Sequence, residues 1–513
     1  MARFQDQRWD AVVIGSGLGG LTAASLLVRA GKRVLILERH AVAGGFTHTF
    51  TRKGFEWDVG VHYVGQVHDP ASLMRRLCDY VSDGALEWES MGATYDRAVI
   101  AGQIYDFVAG KQNQIAKLIV YFPKEEAAIR EYFRLVLSAG QRSAWFFGEK
   151  TMPPWLSFTV GRLMRRGFAA AARRTTSDVL RTLTSNQRLI DVLTAQCGDY
   201  GLSPDRSSFG MHAILVEHYL EGGSYPRGGA RRIHQTIVAG IEKRGGRIAL
   251  KTGVEEILLK GGKVRGVRLA DGEEVLAPVV ISNAGVINTF HGLLPSDAIP
   301  AYDDDSRMDR LSASTAHVCL YVGLDGSDEE LGLPKYNLWI HDNDAGDGGG
   351  RRLTYISFPS AKDPEWAAKH PNKATVQVVQ ACDYVTTKAW EGTAWRRRGE
   401  AYEAMKGAIS EKLLDALYRM QPQLRGRVQY SELSTPLSTR HFMNNRTGEI
   451  YGLEHSPERF GLRWLRPRTS IPGLFLTGQD IVTVGVGGAL FSGLLTAVAV
   501  LKARVLWQFL MRR

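Results

Sequence analysis

Apolar positions along this chain fall in short blocks whose period changes repeatedly. Ala11 to Ile14 is an unbroken apolar run ahead of clustered glycines, the pattern of a parallel strand buried on both faces. Leu21, Ala24, Leu27 and Val28 then recur at helical spacing, Gly31 closes that helix, and Arg33 to Leu37 predicts a second strand ending at Glu38. Downstream, the spacing predicts a helix over 233–243 and strands over 247–250, 254–259 and 264–269, punctuated by Gly245-Gly246, Gly261-Gly262 and Asp271-Gly272. A further apolar strand, Val279 to Ser282, runs into Asn283-Ala-Gly285. Leu474 to Thr477 reads as a last strand, and Ala489 to Leu510 as an apolar helix interrupted by Lys502 and Arg504. The whole is an α/β pattern in which one parallel sheet is assembled from widely separated segments.

Gly15, Gly17 and Gly20 fit G-x-G-x-x-G at the turn between the first strand and its helix. Gly15 permits the turn, Gly17 removes the side chain that would block a pyrophosphate, and Gly20 lets helix and sheet approach. The helix N-terminus offers free N–H groups to phosphate. Glu38, about 20 residues beyond the glycines, stands where a carboxylate accepts from ribose hydroxyls and repels a 2′-phosphate. Gly44-Gly45 adds a second phosphate-side turn, which favours FAD over NAD. At the other end Gly478 stops a strand, Asp480 can accept from ribityl hydroxyls, and Gly485, Gly487 and Gly488 allow backbone to approach a flavin ring. Gly19, Arg39, Gly44 and Asn283 complete the expected cofactor wall.

With 513 residues the chain has room for two or three domains. The expected division is an FAD-binding domain over 8–111, 225–285 and 468–501, with a substrate domain over 112–224 and 286–467. Its four cysteines, Cys78, Cys197, Cys319 and Cys382, lie far apart, so neither a disulfide framework nor a metal site is expected. The formal charge is +11. Arginines at 162, 165, 166, 173 and 174 alternate with Trp155, Phe158, Leu163, Met164 and Phe168, which fits a helical insertion near 140–190 lying either on an anionic membrane interface or in the core with a solvated basic face. No nucleic-acid motif accompanies the charge, and no run of about 20 apolar residues predicts a membrane span.

Several longer phrases are more specific. His48-Thr-Phe50, Asp58-Val-Gly-Val-His-Tyr-Val-Gly65, Met211-His-Ala213 with His218-Tyr219, Gly222-Gly-Ser-Tyr-Pro-Arg-Gly-Gly229, Ser282-Asn-Ala-Gly285, Thr435-Pro-Leu437 and Leu476-Thr-Gly-Gln-Asp480 together resemble the retinol saturase family, within the carotenoid isomerase and phytoene desaturase-like FAD oxidoreductases. The resemblance spans almost the whole chain. It implies a Rossmann-like, glutathione-reductase-type FAD domain with a discontinuous α+β substrate domain, and FAD contacts from Gly15, Gly17, Gly20, Glu38, Gly45, Val254, Gly478 and Asp480, Val254 through its backbone. It further implies an apolar polyene or retinoid substrate. Animal members carry an apolar leader; the polar Met1 to Asp10 segment here points instead to the cytoplasm or a peripheral place on its membranes.

Saturating an isolated polyene calls for protonation alongside hydride delivery, because an alkene without a carbonyl accepts hydride poorly. Candidate acids are His62, Tyr63, Glu217, His218, Tyr225 and His441, with His62 and Tyr225 leading; His62 and Arg227 also count as cofactor contacts, Arg227 through a turn or a phosphate. No second dinucleotide fingerprint is present, so electrons are expected from NAD(P)H without its own domain, or from a separate electron-transfer partner. Three alternatives stay open: a redox-neutral carotenoid isomerase or a desaturase, a non-catalytic prenyl-lipid escort, and an amine oxidase. Retention of Glu38, Gly45 and Asp480 weighs against the escort, and the Thr477-Gly-Gln-Asp480 ending against the amine oxidase.

Overall fold

Five short strands from distant parts of the chain lie side by side in one parallel sheet, in the order Arg247–Ala249, Val34–Leu37, Ala11–Ile14, Val280–Ser282, Leu474–Leu476. The computed structural model describes residue 4 and residues 7–298, 311–342, 352–502 and 509; Arg504, Arg512 and Arg513 fall outside them. Each strand falls within a residue or two of its expected place. Val12, Val13, Leu35, Ile36, Val280 and Ile281 are fully buried, which is why these runs are apolar rather than alternating.

Helix Leu18–Arg29 covers one face of the sheet, and helix Gly485–Leu501 lies against it, starting four residues earlier than expected. Both are apolar on nearly every side because each has partners around it. Their contact needs bare backbone: a Cβ on Gly493 would come within 2.6 Å of the Gly19 carbonyl oxygen. A three-stranded antiparallel sheet, Val254–Lys260, Lys263–Leu269 and Glu274–Leu276, covers the other face.

The second large element is a seven-stranded sheet in the order Val428–Ser434, Ala316–Asp325, Lys373–Cys382, Arg352–Ser357, Asn337–Asp342, Thr94–Ile100, Gln103–Val108. Its neighbours are antiparallel except Asn337–Asp342 with Thr94–Ile100. The last two strands lie inside the expected 8–111 segment and hydrogen-bond into this sheet, where Asp96 to Ile100 supply the ladder that Asn337 to His341 need.

Helices Glu126–Glu149, Pro154–Thr159, Gly161–Ala172, Thr176–Leu183, Gln187–Leu193 and Phe209–Tyr219 form a layer whose core is shared with Tyr95, Trp339 and Tyr355 of the sheet. The outer corner of this layer is not covered: Trp145, Trp155, Phe158 and Leu163 are 64%, 71%, 75% and 74% exposed. Among the described residues no helix is long and apolar enough to cross a membrane, no cluster could hold a metal ion, and no disulfide joins the four cysteines.

Candidate active site

One cavity of about 1080 Å³ runs from the parallel sheet to the face of the seven-stranded sheet. That exceeds the roughly 300–1,000 Å³ of an ordinary small-molecule pocket, leaving room for a dinucleotide and a second molecule. Gly15, Gly17, Gly19, Glu38, Arg39, Gly44, Gly45, Val254, Asn283, Gly478 and Asp480 all line it.

This end is built mainly from backbone. Gly15 has φ +88°, and Gly17 caps helix Leu18–Arg29 with no side-chain hydrogen bond, so the first N–H groups stay free. Val484 begins helix Gly485–Leu501 in the same uncapped way, and Gly485, Val486 and Ala489 reach the cavity wall, so two helix N-termini face one space. Asn283 sits between the two glycine turns: a Cβ on Gly17 would meet its Nδ2 at 2.5 Å and one on Gly478 its Oδ1 at 2.7 Å. Glu38 accepts from Ser16 N at 2.8 Å, Ser16 Oγ at 2.7 Å and His40 N at 2.7 Å, and Ser16 Oγ accepts from Gly44 N at 3.1 Å. Asp480 accepts from Val286 N and Leu453 N, both at 2.9 Å. Behind it, buried Lys150 donates to the Leu465 and Ile481 carbonyls and Arg459 to those of Gln479 and Asp480, fixing the Gln479–Val482 turn.

Other expected residues lie off the cavity. Gly20 packs against the Gly15 carbonyl, as the third glycine should, and Gly487 lies one turn inside its helix beside Met74 and His218. Arg227 is 41% exposed and faces Glu87 and Glu89 at 3.7 and 3.9 Å, so carboxylates rather than phosphates occupy it. Tyr225 is buried beside a gap of about 10 Å³, barely one water, where its hydroxyl donates to Asp58. Asp58 also accepts from Ala230 N at 3.0 Å, so this pair anchors the start of helix Arg231–Glu242 instead of facing substrate. His218 Nε2 accepts from Gly65 N at 2.9 Å, and burial lowers its pKa to about 4. Glu217, raised to about 7 by burial, abuts Gly140 of the helical layer. His441 is on the surface, stacked on Trp395 at 5.2 Å.

The far end is a chamber of side chains. Trp339, Leu353, Tyr355, Val379, Ala381 and His317 present one face of the sheet, and His62, Asp199 and Tyr451 close around it. His62 packs edge-on to Tyr355 at 5.0 Å. Burial, with Lys362 nearby, lowers the His62 pKa to about 3, and burial lowers His317 to about 4. Both rings are neutral at pH 7, so His62 is no imidazolium donor. Among the described residues their Nδ1 atoms find no hydrogen-bond partner, a cost of about 1–3 kcal/mol each unless a bound molecule pairs them. Tyr63 does not line the chamber; its hydroxyl lies 2.8 Å from both Asp96 and Asp199, and Asp199 does line it.

Residues 18–364 match the family described as flavin containing amine oxidoreductase. An all-trans-retinol 13,14-reductase of Danio rerio is 36% identical over 96% of this chain and 86% of its own length. The chain belongs to the all-trans-retinol 13,14-reductase family. More distantly, a prolycopene isomerase of an Oncidium hybrid cultivar is 25% identical over 96% of this chain and 83% of its own. The solved cyclohexylamine oxidase of Brevibacterium oxydans superposes with a TM-score of 0.62 at 16% identity, covering 96% of this chain and 99% of that one, which shows the shared fold.

As a member of the retinol 13,14-reductase family the protein is an FAD-dependent oxidoreductase, and the donor set suits that cofactor. A bare-backbone turn under one uncapped helix can take the pyrophosphate, a buried carboxylate the ribose, and the second uncapped helix the electron-rich edge of the ring. The chamber residues Asp199, His317, Trp339 and Tyr355 were not legible as site residues. Asp199 sits in Cys197-Gly-Asp-Tyr-Gly201, whose glycines mark a turn and nothing more.

Proposed function

We propose that this protein saturates a carbon–carbon double bond of a long apolar polyene, with all-trans-retinol or a related retinoid or carotenoid as substrate. The observation that carries the reading is the continuity of the flavin-type cradle with an aromatic, uncharged chamber in one cavity. When bound, FAD supplies the hydride chemistry. The chain's own residues do the rest. Trp339, Leu353, Tyr355 and Val379 offer flat and branched apolar surface to a conjugated chain, and the neutral His62 and His317 leave that end without cationic charge. Enclosure excludes water from the reacting bond.

The test is to reduce the flavin-loaded protein anaerobically, mix it with all-trans-retinol or a longer carotenoid, and determine product mass and double-bond geometry. A gain of two hydrogens is expected. Unchanged mass with altered geometry would make the protein an isomerase, the activity named for its Oncidium relative.

The exposed corner of the helical layer supports delivery of such a substrate from an anionic bilayer. Trp155, Phe158 and Leu163 project from two consecutive short helices, with Arg162 and Arg166 exposed beside them. Replacing Trp155, Phe158 and Leu163 together by alanine should abolish co-sedimentation with phosphatidylserine vesicles while leaving bound flavin unchanged. Equal sedimentation of both forms would remove this surface from consideration.

A further inference from the structure

Asp199 is the carboxyl group that faces the chamber, and it is held from behind by an unusual arrangement. The Tyr63 hydroxyl lies 2.8 Å from Asp199 Oδ2 and 2.8 Å from Asp96 Oδ2, but it carries a single proton. Two ionised carboxylates on one hydroxyl deep in the protein would repel each other and compete for its single proton. One of the two therefore stays protonated at neutral pH. Their surroundings decide which. Asp96 also accepts from Gln196 Nε2 at 2.6 Å and Asn337 Nδ2 at 2.8 Å, and Asn337 Oδ1 in turn accepts from buried Lys362. Among the described residues Asp199 has no such donors; Tyr63 is its hydrogen-bond partner, and tyrosines 219, 355 and 451 are the other titratable groups around it.

We infer that Asp199 is the proton donor to the polyene, and that Tyr63, backed by Asp96, is the positioning residue that holds the acid and stabilises its conjugate base. This rests on the polyene-reducing reading. One alkene carbon takes hydride from the reduced flavin, and the neighbouring carbon takes the Asp199 proton: an O–H bond breaks as a C–H bond forms. The Tyr63 hydroxyl, equidistant from both carboxyls, turns from Asp96 to the new Asp199 carboxylate, while Asp96 keeps its two amide donors. Asp199 recovers its proton from water admitted when product leaves.

The titration directions agree. Burial, with Asp96 nearby, raises Asp199 to about 8, whereas amide and hydroxyl donors hold Asp96 at about 6 despite burial. A neutral carboxylic acid beside a reaction chamber is what general-acid chemistry at pH 7 requires.

Two measurements test the inference. Infrared difference spectra of the flavin-loaded protein at pH 7 should contain a protonated-carboxyl C=O band that disappears in Asp199→Asn and shifts in Tyr63→Phe; absence of that band in the unsubstituted protein overturns the assignment whatever the activity. In single turnovers of pre-reduced enzyme with retinol, Asp199→Asn should slow product formation roughly 100-fold or more with flavin retained; a rate within about threefold of the parent overturns it. If the band is present and titrates as stated but no polyene is ever reduced, the buried acid stands and the polyene reading falls.

Discussion

The two ends of the cavity are made of different material. The cofactor end is backbone: glycine turns, strand ends and two uncapped helix N-termini, with Glu38 and Asn283 as its main side chains. The chamber end is side chain: an indole, phenols, imidazoles and a carboxylic acid drawn from the 62, 199, 317, 339 and 355 neighbourhoods. A backbone cradle suits a ligand that never changes, since main-chain donors cannot be substituted away. A side-chain chamber can be retuned one residue at a time, which fits a family whose relatives are named for both reduction and isomerisation.

Breaking the cofactor end has the largest expected effect. Gly17→Val places a side chain against Asn283 and over the free N–H groups, and should lower flavin affinity by roughly 100-fold or more. The chamber should survive, so binding of retinol by quenching of tryptophan fluorescence ought to persist; loss of both together would mean that the ends are not separable.

The chamber's two titrating walls should give opposite pH signatures in chemical denaturation. Asp199 binds its proton more tightly folded than unfolded, so its stabilisation is complete below about pH 4 and is lost as pH rises toward about 8. Asp199→Asn should therefore gain on the parent across that window, by at most about 1.4 kcal/mol per pH unit. His62 is the reverse: its folded pKa is depressed, so the parent loses stability as pH falls from about 6.5 toward 3, and His62→Phe should gain on it there. Parallel curves for both variants would contradict the assigned protonation states. The smallest effect is expected at His441, which belongs to neither end: His441→Ala should keep flavin and stay within about 0.5 kcal/mol of the parent.

The same division explains what could be read from the sequence. The parallel strands at residues 11, 34, 280 and 474 announce themselves because each is a short local run with its own glycine turn, and residues 15, 17, 38, 45, 283, 478 and 480 come with them. Chamber residues carry no local mark. Trp339 and Tyr355 face the cavity because neighbouring strands pair in one register, and Asp199 because the turn Cys197–Tyr200 packs on Trp339 and Leu353; only the assembled sheet puts them together. Tyr225 stands in one of the longer phrases, and the structure places its hydroxyl on Asp58 beneath the start of helix Arg231–Glu242. The sheet membership of Thr94–Ile100 is illegible for a similar reason, since it depends on a partner 241 positions away, as Asn337 is from Asp96.

The order of strands in the parallel sheet also governs how the molecule can be made. Its edge strand, Leu474–Leu476, and the helix behind it, Gly485–Leu501, leave the ribosome after the other four strands, although the glycine turn they complete is made ahead of three of them. Val280–Ser282 lies with a neighbour missing until then, and Asn283 has no Gly478 to face. A nascent chain arrested before residue 474 would hold half a cradle and an open sheet edge, the kind of surface that chaperones bind and that aggregates if they do not.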